Sequence, residues 1–238
     1  VLNKMKLYFT LIISLPWSIY FNFRYLPMCQ AIKLPILLFK PKLISLKGKV
    51  VISAAQVRFG MIKLGKHCVS IYPDNGITFE NNGGVIEFKG SCFIGSNSFI
   101  SIGSKGKLVV GDEFRASSSY KLVCYHYINI KENVRFGWEC MIMDTGFHPL
   151  KSIESGGFAG KAYGPIFIGK NNWFGNGSLI MKNTVTVEYC TFGARSILTK
   201  KYEVEPYSLL VGSPLRVVKI GVYRDMDDST ETYSSYIE

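Results

Sequence analysis

In the stretch IGKNNWFGNGSLIMKNTV, Ile168, Phe174 and Ile180 recur at six-residue intervals, and the first two are followed at once by glycine. An α-helix turns every ~3.6 residues, so a six-residue step would carry these side chains around its surface. A flat strand allows the spacing, but it predicts apolar residues at the positions between, where Lys170, Asn172 and Asn176 stand. The frame continues through Thr186, Phe192 and Leu198, with a small side chain two residues before each of the last four leaders: Ser178, Thr184, Cys190 and Ser196. A second run in the same frame gives Ile130, Phe136, Ile142 and then His148, and a shorter one gives Ile94 and Ile100. Residues 101–129 do not thread onto the frame without a loop or bulge.

One geometry satisfies this pattern. Each six-residue unit is a short strand plus a corner, and three corners close a triangular coil of about 18 residues. The leading apolar side chain points inward, and the small residue two before it fits inside the corner. Glycine, Asn or Lys after the leader supplies backbone freedom and solvated surface. Stacked coils pair strand on strand and bury one continuous column of side chains. The expected fold class is therefore all-β, a parallel solenoid.

These residues resemble the hexapeptide-repeat acyltransferases, whose fold is a left-handed parallel β-helix. The resemblance covers roughly residues 85–220. GPIFIGKNNWFGNGSLI is similar to the family's P-I-x-I-G-x-x-x-W-I-G stretch, with Trp173 at the tryptophan position. FGARSILTKKYEVEPYSLLVGSPLRVVK is similar to its closing pattern. Within the family, DTGFHP followed by a loop to GPI most resembles the galactoside, maltose and polysaccharide O-acetyltransferases. FNFRYLP and AIKLPI resemble a subgroup encoded among bacterial surface-polysaccharide genes.

The resemblance implies transfer of an acetyl group from acetyl-CoA to a hydroxyl of a sugar or glycan acceptor, in a ternary complex within a homotrimer. It makes His148 the general base, a role that suits an imidazole because it titrates near the working pH. Asp144 is the nearby acid: it holds the imidazole tautomer, binds the acceptor, or caps a turn. The related surface-polysaccharide enzymes carry D-x-D-x-H here, whereas this chain has Gly146 in the middle. By motif position, backbone groups at Asn176 and Ala194 meet the pantetheine of CoA. Lys200, Arg216 and Lys219 reach its phosphates, with charge and donor geometry suited to them. Trp173 forms part of the acyl or acceptor wall. Arg195 stands where the family has glycine, which crowds or recharges the CoA groove. His67 and His126 read as structural, with His126 able to border the acceptor site. Gly146 and Arg195 favour the competing reading, a β-helix scaffold without chemistry.

No metal is expected. The β-helix carbonic anhydrases need three histidines, two of them close together, and the nearest pair here is His126 and His148. No dinucleotide or P-loop fingerprint occurs. Six scattered cysteines without a C-x-x-C pair read as small buried hydrophobes of a reducing compartment.

Charge separates the ends of the chain. The formal net charge is +11, yet no acidic residue precedes Asp74, while eleven Lys and Arg do. Nucleic-acid signatures are absent, which leaves an anionic membrane surface as the partner of this basic front. Residues 7–23 form the longest uncharged run, interrupted by Pro16 and carrying Thr10, Ser14, Ser18 and Asn22. A spanning helix wants ~20 predominantly apolar residues. A segment lying in the interface is favoured over a helix docked on its own protein, and that over a span. The expected organisation is thus a membrane-interfacial segment and proline-rich connector at 1–46, a β-helix at 47–220 and an acidic, disordered tail at 221–238. The expected location is cytoplasmic, peripheral at the inner face of a bacterial plasma membrane. With Val1 first and Met5 close behind, an alternative or displaced start codon is expected.

Overall fold

The computed structural model describes residues 2–226 and, in its first helix, side chains from Thr10 onward. Residues 227–238, on which most of the disorder expectation falls, lie outside the described residues. After helix α1 (Leu2–Tyr25) and the single turn α2 (Met28–Ala31), the chain winds through successive coils. The first coil is β1 (Ile36–Leu38), β2 (Lys42–Leu46) and β3 (Lys49–Ile52), and the second is β4 (Ile62–Lys66), β5 (Ile77–Asn81) and β6 (Val85–Phe88). The third is β7 (Cys92–Gly95), β8 (Ser98–Ile102) and β9 (Lys107–Val110), and the fourth is β10 (Phe114–Ala116), β11 (Lys121–Cys124) and β12 (Tyr127–Ile130). The fifth holds β13 (Arg135–Phe136), β14 (Met141–Met143) and β15 (Ile166–Ile168), with a long arm between the last two. Then come β16 (Trp173–Phe174), β17 (Leu179–Met181), β18 (Thr191–Phe192), β19 (Ile197–Leu198), β20 (Leu209–Val211) and β21 (Arg216–Lys219).

Each of the first five coils gives one strand to each of three parallel sheets. The first sheet runs β1-β4-β7-β10-β13-β16-β18-β20, closed by antiparallel β21; the second runs β2-β5-β8-β11-β14-β17-β19; the third runs β3-β6-β9-β12-β15. Isolated bridges at Val185 and Lys201 extend the third sheet through the last coils. This is the left-handed parallel β-helix, with an N-terminal helix added.

The leaders of the hexapeptide frame form the column they were expected to form. Ile168, Phe174, Ile180, Phe192 and Leu198 are buried. Phe136, Phe174 and Phe192 stack face to face on successive coils, with centroids 4.6 and 4.7 Å apart and planes within 8°. Truncating one such buried Phe to alanine typically costs about 3–5 kcal/mol. The small residues before the leaders close the corners: the Ser178, Thr184 and Ser196 hydroxyls donate to the carbonyls three residues back, at 2.7, 2.7 and 2.6 Å. Gly175 is required by close approach, since a Cβ there would come within 2.6 Å of the Ala194 nitrogen on the next coil. Cys92, Cys124, Cys140 and Cys190 are buried as expected, whereas Cys29 and Cys68 are exposed.

Two features depart from the frame. Ile180 pairs with Leu198, 18 positions on, but Ile100 pairs with Leu122, 22 positions on. Larger corners in the N-terminal coils absorb the difference, which is why residues 101–129 resist a strict six-residue threading. The coils also begin at Ile36, inside the stretch expected to be connector. β1 is buried at all three positions, and α1 packs along its free edge. Side chains of α1 replace the neighbouring strand that β1 lacks. The Asn22 amide donates to the Ile36 carbonyl at 2.7 Å and accepts from the Ile36 N–H at 3.1 Å. The Ser18 hydroxyl accepts from the Leu38 N–H at 2.9 Å, and that of Ser14 from the Lys40 N–H at 2.9 Å. Phe21 meets Phe79 edge-on at 5.0 Å and seals the end of the core.

Candidate active site

The coil stack opens between β14 and β15, where residues 144–165 leave as an arm. Asp144 fixes its root. Its backbone carbonyl accepts from the Gly164 N–H at 3.0 Å, so the two ends of the arm meet, and a bridge joins Thr145 to Tyr163. Its carboxylate is fully buried and turned back onto the preceding coil, accepting from the N–H groups of Tyr125 and His126 at 2.8 and 2.7 Å. The Cys124 thiol also faces it; burial first, and then the carboxylate, push that thiol well up, so it stays a neutral donor. Two aromatic pairs brace the arm from outside: Tyr125 against Phe147, and His126 against Tyr163, each with centroids 4.8 Å apart. Sequence reading missed these braces. Their signal was register, because CYHYIN lies one coil below DTGFHP.

His148 is exposed, just beyond Phe147, with its N–H on the Gly146 carbonyl at 2.6 Å. It continues the six-residue count from Ile142 but does not enter the buried column. The coil breaks at Asp144, so the six-residue count reaches His148 only after the chain has left the column. The structure brings Asp144, His126, Phe147 and Tyr163 together at the arm root. Asp144 faces inward and His148 outward. Gly146 has room for a side chain: the nearest atom to a Cβ there would be the Ala162 carbonyl oxygen at 3.7 Å.

The residues assigned to CoA fall in three places. Asn176 and Ala194 are exposed on neighbouring coils at the corner between the first and second sheets, where the Arg195 N–H donates to the Asn176 carbonyl at 2.8 Å. A groove of about 590 Å³ runs along this corner, lined by Asn97, Ser119, Lys121, Glu139, Gly177 and Arg195 among others. Asn97, Ser119, Glu139, Gly177 and Arg195 repeat one left-handed backbone position up the stack, with φ between 57 and 68°. That accounts for the glycine found there in the resembling family, and Arg195 takes the same conformation with a side chain. Lys200 sits at the opposite corner, on a groove of about 390 Å³ shared with Tyr202, Leu215 and Val217. Arg216 and Lys219 are the exposed ends of β21. Trp173 is half-buried in the first sheet, with the Arg224 guanidinium 5.0 Å from its ring centroid. Within one chain, then, His148 and the Asn176–Ala194 corner lie on opposite edges of the second sheet. Among the described residues, no group of three or more His, Cys, Asp or Glu is placed to hold a metal ion.

No protein-family model matches the chain. The curated relatives include proteins of Staphylococcus aureus named "Putative acetyltransferase SAV2555" (strain Mu50) and "Putative acetyltransferase SACOL2570" (strain COL). Each is 39% identical over 75 residues, 32% of this chain and 36% of the relative, so the match spans about a third of those proteins. Among solved structures, the polySia-specific acetyltransferase NeuO superposes with a TM-score of 0.51 at 14% identity, covering 84% of this chain and 99% of NeuO. The two share a fold. The resemblance read from the hexapeptide motifs thus holds in three dimensions. A galactoside acetyltransferase in complex with coenzyme A aligns at a TM-score of 0.41 and 19% identity, over 90% of this chain and 82% of that one, too loose a likeness to argue from.

Proposed function

We propose that the chain is a CoA-dependent acyltransferase that moves an acetyl group from acetyl-CoA to a hydroxyl of a sugar or surface-polysaccharide intermediate. The observation that carries this reading is the placement of His148, an exposed imidazole at the root of an arm braced by two aromatic pairs. The acetyltransferase names of the partial relatives and the fold shared with NeuO support the class of reaction. The imidazole would take the proton of the acceptor hydroxyl as its oxygen attacks the thioester carbonyl. It would return that proton to the departing sulfur as the C–S bond breaks, so proton and charge balance over the turnover. We assign Asp144 to anchoring the arm, because its carboxylate is already held by two backbone donors of the preceding coil.

Donor and acceptor groups on opposite edges of one sheet cannot face a common substrate within one copy. We therefore assign the site to a cleft between copies of a homotrimer, the arm edge of one facing the Asn176–Ala194 corner of the next. Lys200, Arg216 and Lys219 supply cations for the CoA phosphates, and Trp173 an aromatic wall. The test is thiol release from acetyl-CoA across a panel of nucleotide sugars and glycans. His148→Asn is expected to lower turnover by ~10²–10⁴-fold, the usual worth of a positioned base, with assembly and melting temperature unchanged. Near-wild-type turnover in that variant would overturn the assignment.

A further inference from the structure

The outward face of α1 inverts the usual rule for a surface helix. Thr10, Ser14, Ser18 and Asn22 are buried, together with Phe21, while Ile12, Ile13, Pro16, Trp17, Ile19, Tyr20 and Phe23 are exposed. At about 100° per residue the exposed set falls on one continuous arc, and Arg24 at its margin is the only charge among the exposed residues from 10 to 24. Ile12 and Trp17 keep 67% and 51% of their surface open. Met28, Ile32 and Ile44 extend the apolar area beyond the helix. A continuous patch of this kind marks a docking surface.

The helix cannot turn this face inward. Ser14, Ser18 and Asn22 are engaged as the hydrogen-bond partners of β1 and the residue after it, so rotation would strip the free edge of the first sheet. Because those bonds run from the helix to the outer edge of the end strand, the apolar arc points away from the coil stack. Basic groups surround it: Arg24, Lys33, Lys42, Lys47 and Lys49 are exposed on the helix end and first coil. The first acidic residue of the chain, Asp74, is already paired with Lys40 at 2.6 Å. Two copies meeting through this face would oppose like charges, whereas an anionic lipid surface complements both the rim and the apolar centre. Trp17 and Tyr20 suit headgroup depth. Among the described residues, no helix is long and apolar enough to cross a membrane.

We propose that this end of the coil stack docks flat on an anionic bilayer, with Ile13, Trp17, Tyr20 and Phe23 in the interface and the first-coil lysines at the headgroups. The test is flotation of the full chain with phosphatidylcholine vesicles, with and without a quarter phosphatidylglycerol, at two salt concentrations. Binding is expected on the anionic vesicles, weakened by salt. Ile13→Ser combined with Trp17→Ser, both exposed and so compatible with folding, should weaken it at least about tenfold. A second variant, Lys42→Glu with Lys47→Glu, should also weaken it roughly tenfold or more while leaving the apolar arc intact. No binding by the wild-type chain, or binding at the wild-type level by either variant, overturns the proposal. So does a concentration-dependent doubling of the assembly's mass that Trp17→Ser abolishes, since the face would then bind a second copy. None of these readouts depends on acetyl transfer, so the proposal stands or falls apart from the enzymatic reading.

Discussion

Asp144 and His148 are four positions apart and lie in opposite environments. Asp144 is fully buried against two backbone N–H groups, and His148 is exposed. Removing the buried carboxylate leaves the part-buried Tyr125 and His126 N–H groups without their acceptor, at up to about 1–3 kcal/mol each. Asp144→Ala is therefore expected to destabilise the chain by ~2–5 kcal/mol in denaturant unfolding, and Asp144→Asn by less, since it keeps one acceptor oxygen. A wild-type unfolding midpoint in Asp144→Ala would show that the carboxylate does not anchor the arm. The sequence made Asp144 visible as the sole acid near His148. It could not show the partners, which come from the preceding coil, 19 and 18 positions back. The left-handed backbone of Arg195 was likewise hidden, because only the column through Asn97, Ser119, Glu139 and Gly177 reveals it.

At the scale of elements, the N-terminal segment shows how a polar stripe can be misread. In a hydropathy argument Thr10, Ser14, Ser18 and Asn22 merely weaken an apolar run. Their spacing of four puts them on one helix face, and that face replaces a strand. The expected interfacial segment and the docked helix are thus faces of one element. Its inner face is shown, and its outer face is the subject of the bilayer proposal. Asn22 matters most, because one amide both donates to and accepts from Ile36. Asn22→Leu, of similar volume, would leave the N–H and carbonyl of Ile36 buried and unpaired, which should cost roughly 2–5 kcal/mol. Hydrogen exchange should then report loss of protection at Ile36 and Leu38 while the Phe136–Phe192 coils stay protected. Unchanged protection at Ile36 would mean that β1 finds its partners elsewhere. The early start of the coils was obscured as well. ILL between Pro35 and Pro41 shows no alternation, because Leu37, on the face opposite the core residues Ile36 and Leu38, is buried as well, close to Gly60.

At the scale of the whole molecule, the fold was legible where the coils are uniform and illegible where their corners enlarge. The steps from Ile180 to Leu198 and from Phe174 to Phe192 are both 18 residues, so one frame carries through them. The same periodicity that makes the column readable is silent on which edges of the prism meet, since a repeat specifies stacking within one copy. The topology supplies that step: the arm leaves one edge of the second sheet, and the Asn176–Ala194 corner occupies the other. A site assembled from both edges predicts complementation between inactive chains. His148→Asn lacks the base but keeps its groove, while Ala194→Tyr fills the exposed groove corner but keeps His148. Each alone should be nearly inactive. Co-expressed in equal amounts and assorting at random into cyclic trimers, the two should restore about a quarter of wild-type activity, because each cleft draws its base from one copy and its groove from the next. If each chain held a complete site, mixing could restore nothing, and activity in the mixed assembly would stay at the level of the two variants assayed apart.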